Sequence, residues 1–217
     1  MADFAALRAR MVERQLRRRG IGDERVLAAM ATAPREAFVP LALRHRAYAD
    51  SALPIEDGQT ISQPWIVAAI CQALALTGGE RVLEVGTGSG YSACVLSLLA
   101  AEVISIERHR GLALSARETL ASLAVTNVEL AIGDGSRGVP ERAPFEAIAV
   151  HATAPAPPPA LVSQLAEGGR MVIPIAAGEE TDLLTLLRRQ GDETESETLA
   201  PCRFVPLIGD EGYQPPG

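Results

Sequence analysis

The chain has 217 residues and a formal net charge of −7. An acidic chain is a poor match for the phosphate backbone of nucleic acids, and no uninterrupted apolar run approaches the roughly 18 residues of a membrane span. Hydrophobic residues make up 47% and aromatic residues only 4%, which suits aliphatic helices packed on a parallel sheet. We therefore expect one cytoplasmic domain over residues 1–217, with neither nucleic acid nor a membrane as partner. The three cysteines, Cys71, Cys94 and Cys202, lack metal-ligand spacing, so we expect reduced thiols and no metal site.

Two helices are expected ahead of the sheet. Apolar residues near helical spacing run from Phe4 to Arg19, and Gly20 can end this first helix. Asp23 can cap a second helix that ends before Pro34. The arginines of the first helix are scattered around it, which favours a solvated face over a nucleic-acid surface. These helices precede the first strand of the sheet, so they form an N-terminal addition to the core.

An apolar helix through Leu76 follows the segment Gly58-Gln59-Thr60-Ile61-Ser62-Gln63-Pro64-Trp65. The fixed backbone angle of Pro64 suits the first turn of this helix, which makes Ser62 the natural N-cap. On that interpretation alone, Ser62 has a structural role.

Three alternating glycines, Gly86, Gly88 and Gly90, connect the aliphatic strand Val82–Val85 to another helical pattern. Glycines allow positive φ and let a ligand approach the main chain, and the N-terminus of the helix offers free N–H groups. A dinucleotide-binding turn requires G-x-G-x-x-G, whereas here the third glycine comes one residue early. Glu84 would repel a pyrophosphate but can accept hydrogen bonds from a cationic amine. The pattern E-x-G-x-G-x-G therefore resembles the first motif of class I S-adenosylmethionine-dependent methyltransferases, and a glycine turn that binds no ligand is the alternative.

Acidic residues follow the next two predicted strands. Glu107 ends the strand Glu102–Glu107, about 20 residues after the glycine turn, where nucleotide-binding folds place a carboxylate that holds the ribose hydroxyls. Asp134 lies between two glycines after the strand Asn127–Ile132, at the edge where α/β sheets bind ligands, and it can accept from an adenine amino group. A surface glutamate and an ordinary Asp-Gly turn are the alternatives.

The remaining strands complete the predicted sheet. Buried strands are expected at Phe145–Val150 and Arg170–Ile175, and two further strand candidates are Asp182–Leu187 and Cys202–Ile208, joined by the exposed acidic segment Asp192–Glu197. We therefore expect an α/β fold with a doubly wound, mostly parallel seven-stranded sheet. Helices cover both faces, and a hairpin forms the C-terminal edge.

Runs of residues over nearly the whole length resemble protein-L-isoaspartate (D-aspartate) O-methyltransferases. The glycine turn by itself identifies only a methyltransferase. The run from Gly58 to Pro64 is more specific, because other class I methyltransferases lack it. The other matching runs are Met11-Val12, Gln15-Leu16, Arg19-Gly20-Ile21, Pro34-Arg35-Glu36, Phe38-Val39-Pro40, Ala47 to Asp50, Leu53-Pro54-Ile55, Val82 to Tyr91, Gly133-Asp134-Gly135, Gln164-Leu165, Gly168-Gly169-Arg170 and Arg203 to Leu207.

The resemblance implies an enzyme that moves the methyl group of S-adenosylmethionine to the free α-carboxylate of L-isoaspartyl residues in damaged proteins and peptides. The methyl ester then closes to a succinimide, which reopens partly as normal aspartate, and S-adenosylhomocysteine is the second product. A monomer without a metal ion is expected. Residues 1–60 would form a helical addition that covers the substrate, residues 61–175 the cofactor-binding core, and residues 176–217 the edge strands and tail.

The resemblance also implies roles for individual residues. Ser62, with Thr60, Ile61 and Gln63, lies over the methyl group and positions the substrate carboxylate. The methionine part of the cofactor is held by Glu84 and by the turn of Gly86, Thr87, Gly88, Ser89 and Gly90. Glu107 holds the ribose, Asp134 the adenine side, and Arg108 and Gly135 belong to the same cofactor site.

One position departs from the family pattern. Family members usually carry Val-Thr-Ala-Ala where this chain has Val150-His151-Ala152-Thr153, beside the expected methyl-transfer site. His151 is bulkier than threonine and can be charged, so it either reshapes the substrate cleft or turns to solvent. This difference keeps open a related enzyme for the carboxylate of one dedicated peptide or small molecule. An inactive cofactor-binding module that acts through interaction is a further alternative.

Overall fold

The computed structural model describes residues 3–178 and 181–214, and a seven-stranded sheet lies at its centre. The strands are β1 Arg81–Val85, β2 Glu102–Glu107, β3 Val128–Ile132, β4 Phe145–Val150, β5 Leu165–Ala176, β6 Asp182–Gln190 and β7 Glu193–Cys202. Their order across the sheet is β3-β2-β1-β4-β5-β6-β7. The strands from β3 to β5 are parallel neighbours, whereas β6 runs antiparallel to both β5 and β7. The mostly parallel, doubly wound sheet is thus confirmed.

Helices cover both faces of the sheet. The described α-helices are α1 Phe4–Met11, α2 Glu24–Thr32, α3 Pro64–Leu74, α4 Tyr91–Ser97, α5 Arg110–Ser122 and α6 Pro159–Ser163. Short 3-10 turns lie at Arg17–Arg19, Arg35–Phe38, Leu41–Arg46, Glu56–Gly58, Gly135–Arg137 and Pro140–Arg142. Within residues 3–178 and 181–214, none of the helices is long and apolar enough to cross a bilayer.

The N-terminal helices begin and end where the sequence predicts. After α1 the helical structure continues through a π-helical turn, Val12–Leu16, and a 3-10 turn, Arg17–Arg19. It ends at Gly20, which has a φ of 91°. The side chain of Asp23 caps α2 by accepting hydrogen bonds from the N–H groups of Arg25 and Val26, at 2.8 and 3.3 Å. Both signals are local, so the sequence is sufficient to place them.

Successive residues of the central strands contribute to two separate hydrophobic clusters, because side chains alternate between the faces of a sheet. Val82, Ala147 and Val172 belong to the cluster that also contains buried residues of the N-terminal helices and α3. Leu83 and Ile148 belong to the other cluster, which α6 and the C-terminal segment help to cover. The N-terminal addition is therefore packed into the core on one face of the sheet.

The N-cap of α3 is Gln63, so the prediction that Ser62 caps this helix is wrong. Pro64 occupies the first helical position, where its missing N–H costs nothing, and the cap falls on the residue before it. Ser62 lies outside the helix, and its hydroxyl is not used as a cap.

The hairpin at the C-terminal edge is confirmed, but with different bounds. Of the acidic segment Asp192–Glu197 expected as its loop, Asp192 lies in the turn and residues 193–197 belong to β7. Of the expected strand Cys202–Ile208, Cys202 ends β7 and residues 203–208 follow it without joining it. Glu193, Glu195 and Glu197 are exposed on this outermost strand. Charges on an edge strand discourage pairing with a second chain, so strand structure and acidic composition are compatible here.

Candidate cofactor and substrate cleft

The main cleft opens at the carboxyl ends of β1, β2 and β4, on the side of the sheet where the strand order reverses. It is lined by Gly58 to Ser62, Gly86 to Ser89, Ile106 to His109 and Val205 to Ile208, with Val67, Val85, Tyr91, Ser92, Gly135, His151 and Ala152. Most of the predicted site residues therefore border one cleft. Those that do not line it are Gln63, Glu84, Gly90 and Asp134.

The glycine turn after β1 forms one wall of the cleft. Gly86, Gly88 and Gly90 have φ values of 90°, 53° and 87°, which side-chain-bearing residues rarely adopt. The N–H of Gly86 donates to the carbonyl of Ile106 at 2.9 Å and ties the turn to β2. A Cβ on Gly90 would lie 3.1 Å from that of Ala116 on α5. Gly86 and Gly88 therefore present main chain to the cleft, while Gly90 lets the turn pack closely on α5.

Glu84 lies behind this turn and is fully buried. Its Oε2 accepts a hydrogen bond from the Ser105 hydroxyl at 2.5 Å, and that hydroxyl also contacts the Thr87 hydroxyl at 2.5 Å. Its Oε1 has no hydrogen-bond partner among the described residues and lies 3.3 Å from Nε2 of His151. Because a buried carboxylate is costly without donors or a counter charge, His151 is its natural partner.

The imidazole of His151 faces the protein interior rather than solvent. Its side chain is 7% exposed, and Nε2 lies 2.8 Å from the hydroxyl of Ser92 on α4. His151 lines the cleft, whereas Glu84 does not. The imidazole therefore lies between the buried carboxylate and the cleft.

Glu107 borders the cleft at the end of β2, as predicted. Its Oε2 accepts from the N–H of Gly88 and its Oε1 from the N–H of His109, both at 2.9 Å. These bonds fix the carboxylate beside the glycine turn. A carboxylate has about four acceptor sites, so Glu107 can still accept hydrogen bonds from hydroxyl groups in the cleft.

Asp134 connects two segments of the chain behind the cleft. Its Oδ1 accepts from the N–H and hydroxyl of Ser136, at 2.8 and 2.7 Å, and its Oδ2 accepts from the N–H of Asp210 at 2.7 Å. Burial alone would raise the pKa of Asp134, but these hydrogen bonds outweigh it and lower the pKa. Gly135, the next residue, does reach the cleft.

The loop before α3 forms the opposite wall. Thr60 and Ile61 form a short antiparallel ladder with Leu53–Pro54, and Ser62 follows at the rim of the cleft. Gln63 points away from the cleft and donates to the Asp50 carboxylate at 2.6 Å. Gln63 therefore anchors the loop, while Thr60, Ile61 and Ser62 provide its surface.

Some residues of the cleft were missed by the sequence analysis. Ser92 and His109 each follow a predicted site residue closely, so their proximity in sequence is the available signal. Residues 205–208 reach the cleft because the N–H of Thr153 donates to the carbonyl of Val205, at 2.8 Å, and the N–H of Leu207 donates back to Thr153, at 2.7 Å. This contact is long-range, and no local pattern predicts it.

The acceptors and the open main chain of the cleft fit a ligand that carries ribose hydroxyls and approaches the glycine turn closely. Glu107 borders the cleft with free acceptor sites for hydroxyl groups, and Gly86 and Gly88 allow close approach to the main chain. Glu84 has a buried oxygen without a hydrogen-bond donor and adds negative charge behind the turn, but the His151 imidazole separates it from the cleft. The doubly wound sheet, the E-x-G-x-G-x-G spacing of the turn after β1 and the carboxylate at the end of β2 are together typical of class I methyltransferases. The sequence model of the protein-L-isoaspartate(D-aspartate) O-methyltransferase family matches residues 7–212. The chain belongs to this family.

Named relatives match over nearly the full chain. A protein-L-isoaspartate O-methyltransferase of Koribacter versatilis (strain Ellin345) is 53% identical over 215 residues, which cover 99% of this chain and 96% of the relative. Protein-L-isoaspartate O-methyltransferase 1 of Rhodopseudomonas palustris (strain HaA2) is 54% identical over 211 residues, which cover 97% and 86%.

Two solved structures have the same fold. One protein-L-isoaspartate O-methyltransferase superposes with a TM-score of 0.84 at 30% identity, covering 94% of this chain and 67% of the other. A structure described as the Plasmodium falciparum protein-L-isoaspartate O-methyltransferase in complex with S-adenosyl-L-homocysteine has a TM-score of 0.79 at 26% identity, covering 96% and 99%. The fold is therefore that of the family over both the N-terminal addition and the sheet.

Proposed function

We propose that this chain transfers the methyl group of S-adenosylmethionine to the free α-carboxylate of L-isoaspartyl residues in damaged proteins and peptides. S-adenosylhomocysteine is the second product, and the ester starts repair by closing to a succinimide. The observation that carries the proposal is that Ser62 and the glycine turn border one cleft, in a chain whose named relatives are protein-L-isoaspartate O-methyltransferases.

The substrate carboxylate needs no general base. An α-carboxyl group has a pKa of roughly 3.5 and is ionised at neutral pH. When bound, the cofactor supplies a methyl group on a positively charged sulfur. The contribution of the chain is to hold the carboxylate oxygen in line with that methyl group and to exclude water. Ser62 orients the oxygen through a hydrogen bond from its hydroxyl, which is free of any capping role.

The loop that carries Ser62 shapes the substrate side of the cleft. We assign Thr60 and Ile61 to the wall over the methyl group and Gln63 to the support of that wall, through its hydrogen bond to Asp50. A flexible segment with an exposed main chain must enter here, so recognition is mainly of peptide backbone, with loose sequence preference.

The opposite walls hold the cofactor in this proposal. We assign the methionine part to the turn from Gly86 to Ser89 with Glu84 behind it, and the ribose to Glu107 with Arg108. The adenine lies on the side of Gly135. Asp134 supports that side through its hydrogen bonds to Ser136 and Asp210.

The proposed enzyme acts in the cytoplasm as a monomer and without a metal ion. An ionised carboxylate needs no Lewis acid to attack a methyl group on a cationic sulfur, so the chemistry requires no metal. Sedimentation velocity of the purified chain measures the oligomeric state, and a single species of dimer mass would contradict the monomer.

A second candidate function is methylation of the carboxylate of one dedicated peptide or small molecule. The observation that favours it is the inward position of His151, where the family usually carries threonine, at the wall of the cleft. The larger side chain occupies part of the cleft that an isoaspartyl peptide could otherwise enter.

Transfer of a labelled methyl group separates these functions. Wild type, His151→Thr and the control His45→Gln, which changes an exposed histidine, are each given an isoaspartyl peptide and the same peptide with aspartate. We expect transfer to the isoaspartyl peptide alone in all three proteins. No transfer by wild type, with activity gained in His151→Thr, would support the second candidate. If S-adenosylhomocysteine also fails to bind in calorimetry, both functions are wrong.

A further inference from the structure

A buried acid and a buried base face each other behind the glycine turn. Oε1 of Glu84 lies 3.3 Å from Nε2 of His151, and the two side chains are 0% and 7% exposed. The other carboxylate oxygen is taken by the Ser105 hydroxyl. Because His151 lines the cleft in front of Glu84, its protonation state sets the net charge of this part of the wall.

The contacts of the imidazole limit where its protons lie. Nε2 lies 3.3 Å from Oε1 of Glu84, which can only accept, and 2.8 Å from the hydroxyl of Ser92, and either the hydroxyl or the imidazole can be the donor of that hydrogen bond. The neutral imidazole therefore carries its hydrogen on Nε2 or on Nδ1, whereas the imidazolium carries a hydrogen on both nitrogens. Within residues 3–178 and 181–214, no hydrogen bond is formed by Nδ1 of His151.

Few other titratable groups surround the pair. On the α3 side, burial and then the charge of Glu84 raise the pKa of the Cys71 thiol, so Cys71 stays neutral near pH 7. The lining segment 205–208 carries no charged side chain. The remaining charged or titratable groups along the lining are Tyr91, Glu107, Arg108 and His109. Burial raises the pKa of the Tyr91 hydroxyl, so Tyr91 stays neutral near pH 7. Of these, Glu107 is held by main-chain N–H groups, Arg108 is exposed, and His109 lies 3.6 Å from Asp57.

We propose that Glu84 and His151 form a proton-linked pair that distinguishes the cofactor from its product by charge. This inference rests on the proposed function, because it requires both molecules to bind in this cleft. S-adenosylmethionine carries one more positive charge than S-adenosylhomocysteine, on its sulfur. With the imidazole neutral, the pair has a net negative charge and favours the more positive ligand. With the imidazole protonated, the pair is neutral and this preference is lost.

Proton linkage gives the sign of the pH dependence. Binding of S-adenosylmethionine favours the neutral imidazole, so part of a proton leaves the pair for solvent, whereas S-adenosylhomocysteine releases less. When the imidazole takes up a proton at lower pH, affinity for the cofactor therefore drops relative to affinity for the product. Product inhibition becomes stronger in acid.

Calorimetry without peptide substrate tests this inference on the whole chain. Each ligand is titrated at about pH 6 and about pH 8, in two buffers with different ionisation enthalpies, which gives the number of protons released. We expect more protons released by S-adenosylmethionine than by S-adenosylhomocysteine at the lower pH. The ratio of the two affinities should fall about threefold or more from the higher pH to the lower.

The variant His151→Gln keeps an N–H donor but cannot titrate, and retained binding of S-adenosylhomocysteine shows that it is folded. We expect the difference in proton release and the fall in the affinity ratio to disappear in His151→Gln and to persist in His45→Gln.

NMR gives a second measurement. The chain has three histidines, so the imidazole signal lost in His151→Gln identifies His151, and its titration should move to lower pH when S-adenosylmethionine is added. Equal proton release by both ligands in wild type, or a difference that survives in His151→Gln, overturns the inference alone. Failure of both ligands to bind wild type overturns the proposed function together with it.

Discussion

Glu80, just before β1, shows how one carboxylate closes a loop. Its two oxygens accept hydrogen bonds from the N–H and hydroxyl of Thr77, at 2.9 and 2.7 Å, and from the N–H of Gly78 at 2.8 Å. Burial by itself would raise the pKa of Glu80, but these hydrogen bonds outweigh it and lower the pKa from 4.5 to about 2. The ionised form therefore stabilises the fold.

Replacing Glu80 with glutamine should cost about 2 kcal/mol of unfolding free energy at neutral pH, because hydrogen bonds to a charged acceptor are lost. The pKa is lower in the folded chain, so the contribution is complete above the unfolded value near 4.5 and is lost as pH falls towards about 2. Urea unfolding of wild type and Glu80→Gln at neutral pH and near pH 3 measures this. A difference in unfolding free energy that stays constant between the two pH values would contradict it.

Ser62 is the residue whose hydroxyl we expect to act on the substrate carboxylate. Ser62→Ala should lower kcat/KM for an isoaspartyl peptide about 10- to 100-fold, since the attacking oxygen loses its orienting hydrogen bond. Affinity for S-adenosylhomocysteine should stay within about twofold of wild type, as the calorimetric control. Ser62→Thr keeps a hydroxyl and should recover part of the activity. Equal losses in both variants would point to a role in shape alone.

At the scale of elements, the C-terminal segment from 203 to 214 closes one side of the cleft. Its residues 205–208 line the cleft, while the N–H groups of Asp210 and Glu211 are held by Asp134 and by the Ser136 hydroxyl, at 2.7 and 3.0 Å. The segment has no partner strand of its own beyond isolated bridges such as Thr153 with Pro206. Asp134, together with Ser136, therefore attaches residues 210 and 211, while Thr153 holds Val205 and Leu207 through main-chain hydrogen bonds.

Asp134→Asn separates this supporting role from the direct adenine contact that the family resemblance implies. Asparagine has one acceptor oxygen and one NH2 donor, whereas Ser136 and Asp210 both donate hydrogen bonds to Asp134. The new donor would therefore face one of these donors, and the C-terminal segment should loosen. We expect faster amide hydrogen exchange over residues 205–211 and about threefold to tenfold weaker binding of S-adenosylhomocysteine. Weaker binding with unchanged exchange in the free protein would instead favour the adenine contact.

Local signals predicted the elements well, and long-range contacts explain the differences. Gly20 and Asp23 end and begin helices through bonds to near neighbours, so their roles were confirmed. The alternation of Thr194, Thr198 and acidic residues in β7 has no apolar face to reveal a strand, because an edge strand can be polar on its exposed surface. The position of residues 205–208 in the cleft depends on pairing with Thr153, which no periodicity shows.

Long-range contacts also limit what the sequence predicts about the site. Spacing along the chain placed Glu107 and the glycine turn on one cleft, since both follow parallel strands of one sheet. The pairing of Glu84 with His151 depends on how β1 lies beside β4, with Val85 opposite Val150. The sequence showed that His151 departs from the family pattern. It left open whether the side chain points into the protein or to solvent, because the residue follows the end of a strand.

At the scale of the whole molecule, the N-terminal addition shares its core with the sheet. Leu16 and Met30 belong to the same buried cluster as Val172. We therefore propose that residues 1–217 fold as one domain. Trp65 lies at the junction, since its Nε1 donates to the carbonyl of Arg19 at 3.2 Å and the Arg19 guanidinium lies 4.9 Å from its ring centre.

The chain contains one tryptophan, so its fluorescence reports on the contact between the N-terminal addition and α3. We expect unfolding in urea to give the same midpoint by this fluorescence as by far-ultraviolet circular dichroism, which follows all the helices and strands. Leu16→Ala, in the N-terminal addition, should lower the unfolding free energy by about 3 kcal/mol and move both midpoints together. Val172→Ala, in β5, is the matched change on the sheet and should also move both. If the fluorescence midpoint of Leu16→Ala falls well below its dichroism midpoint, the N-terminal addition unfolds by itself and the chain is not one cooperative unit.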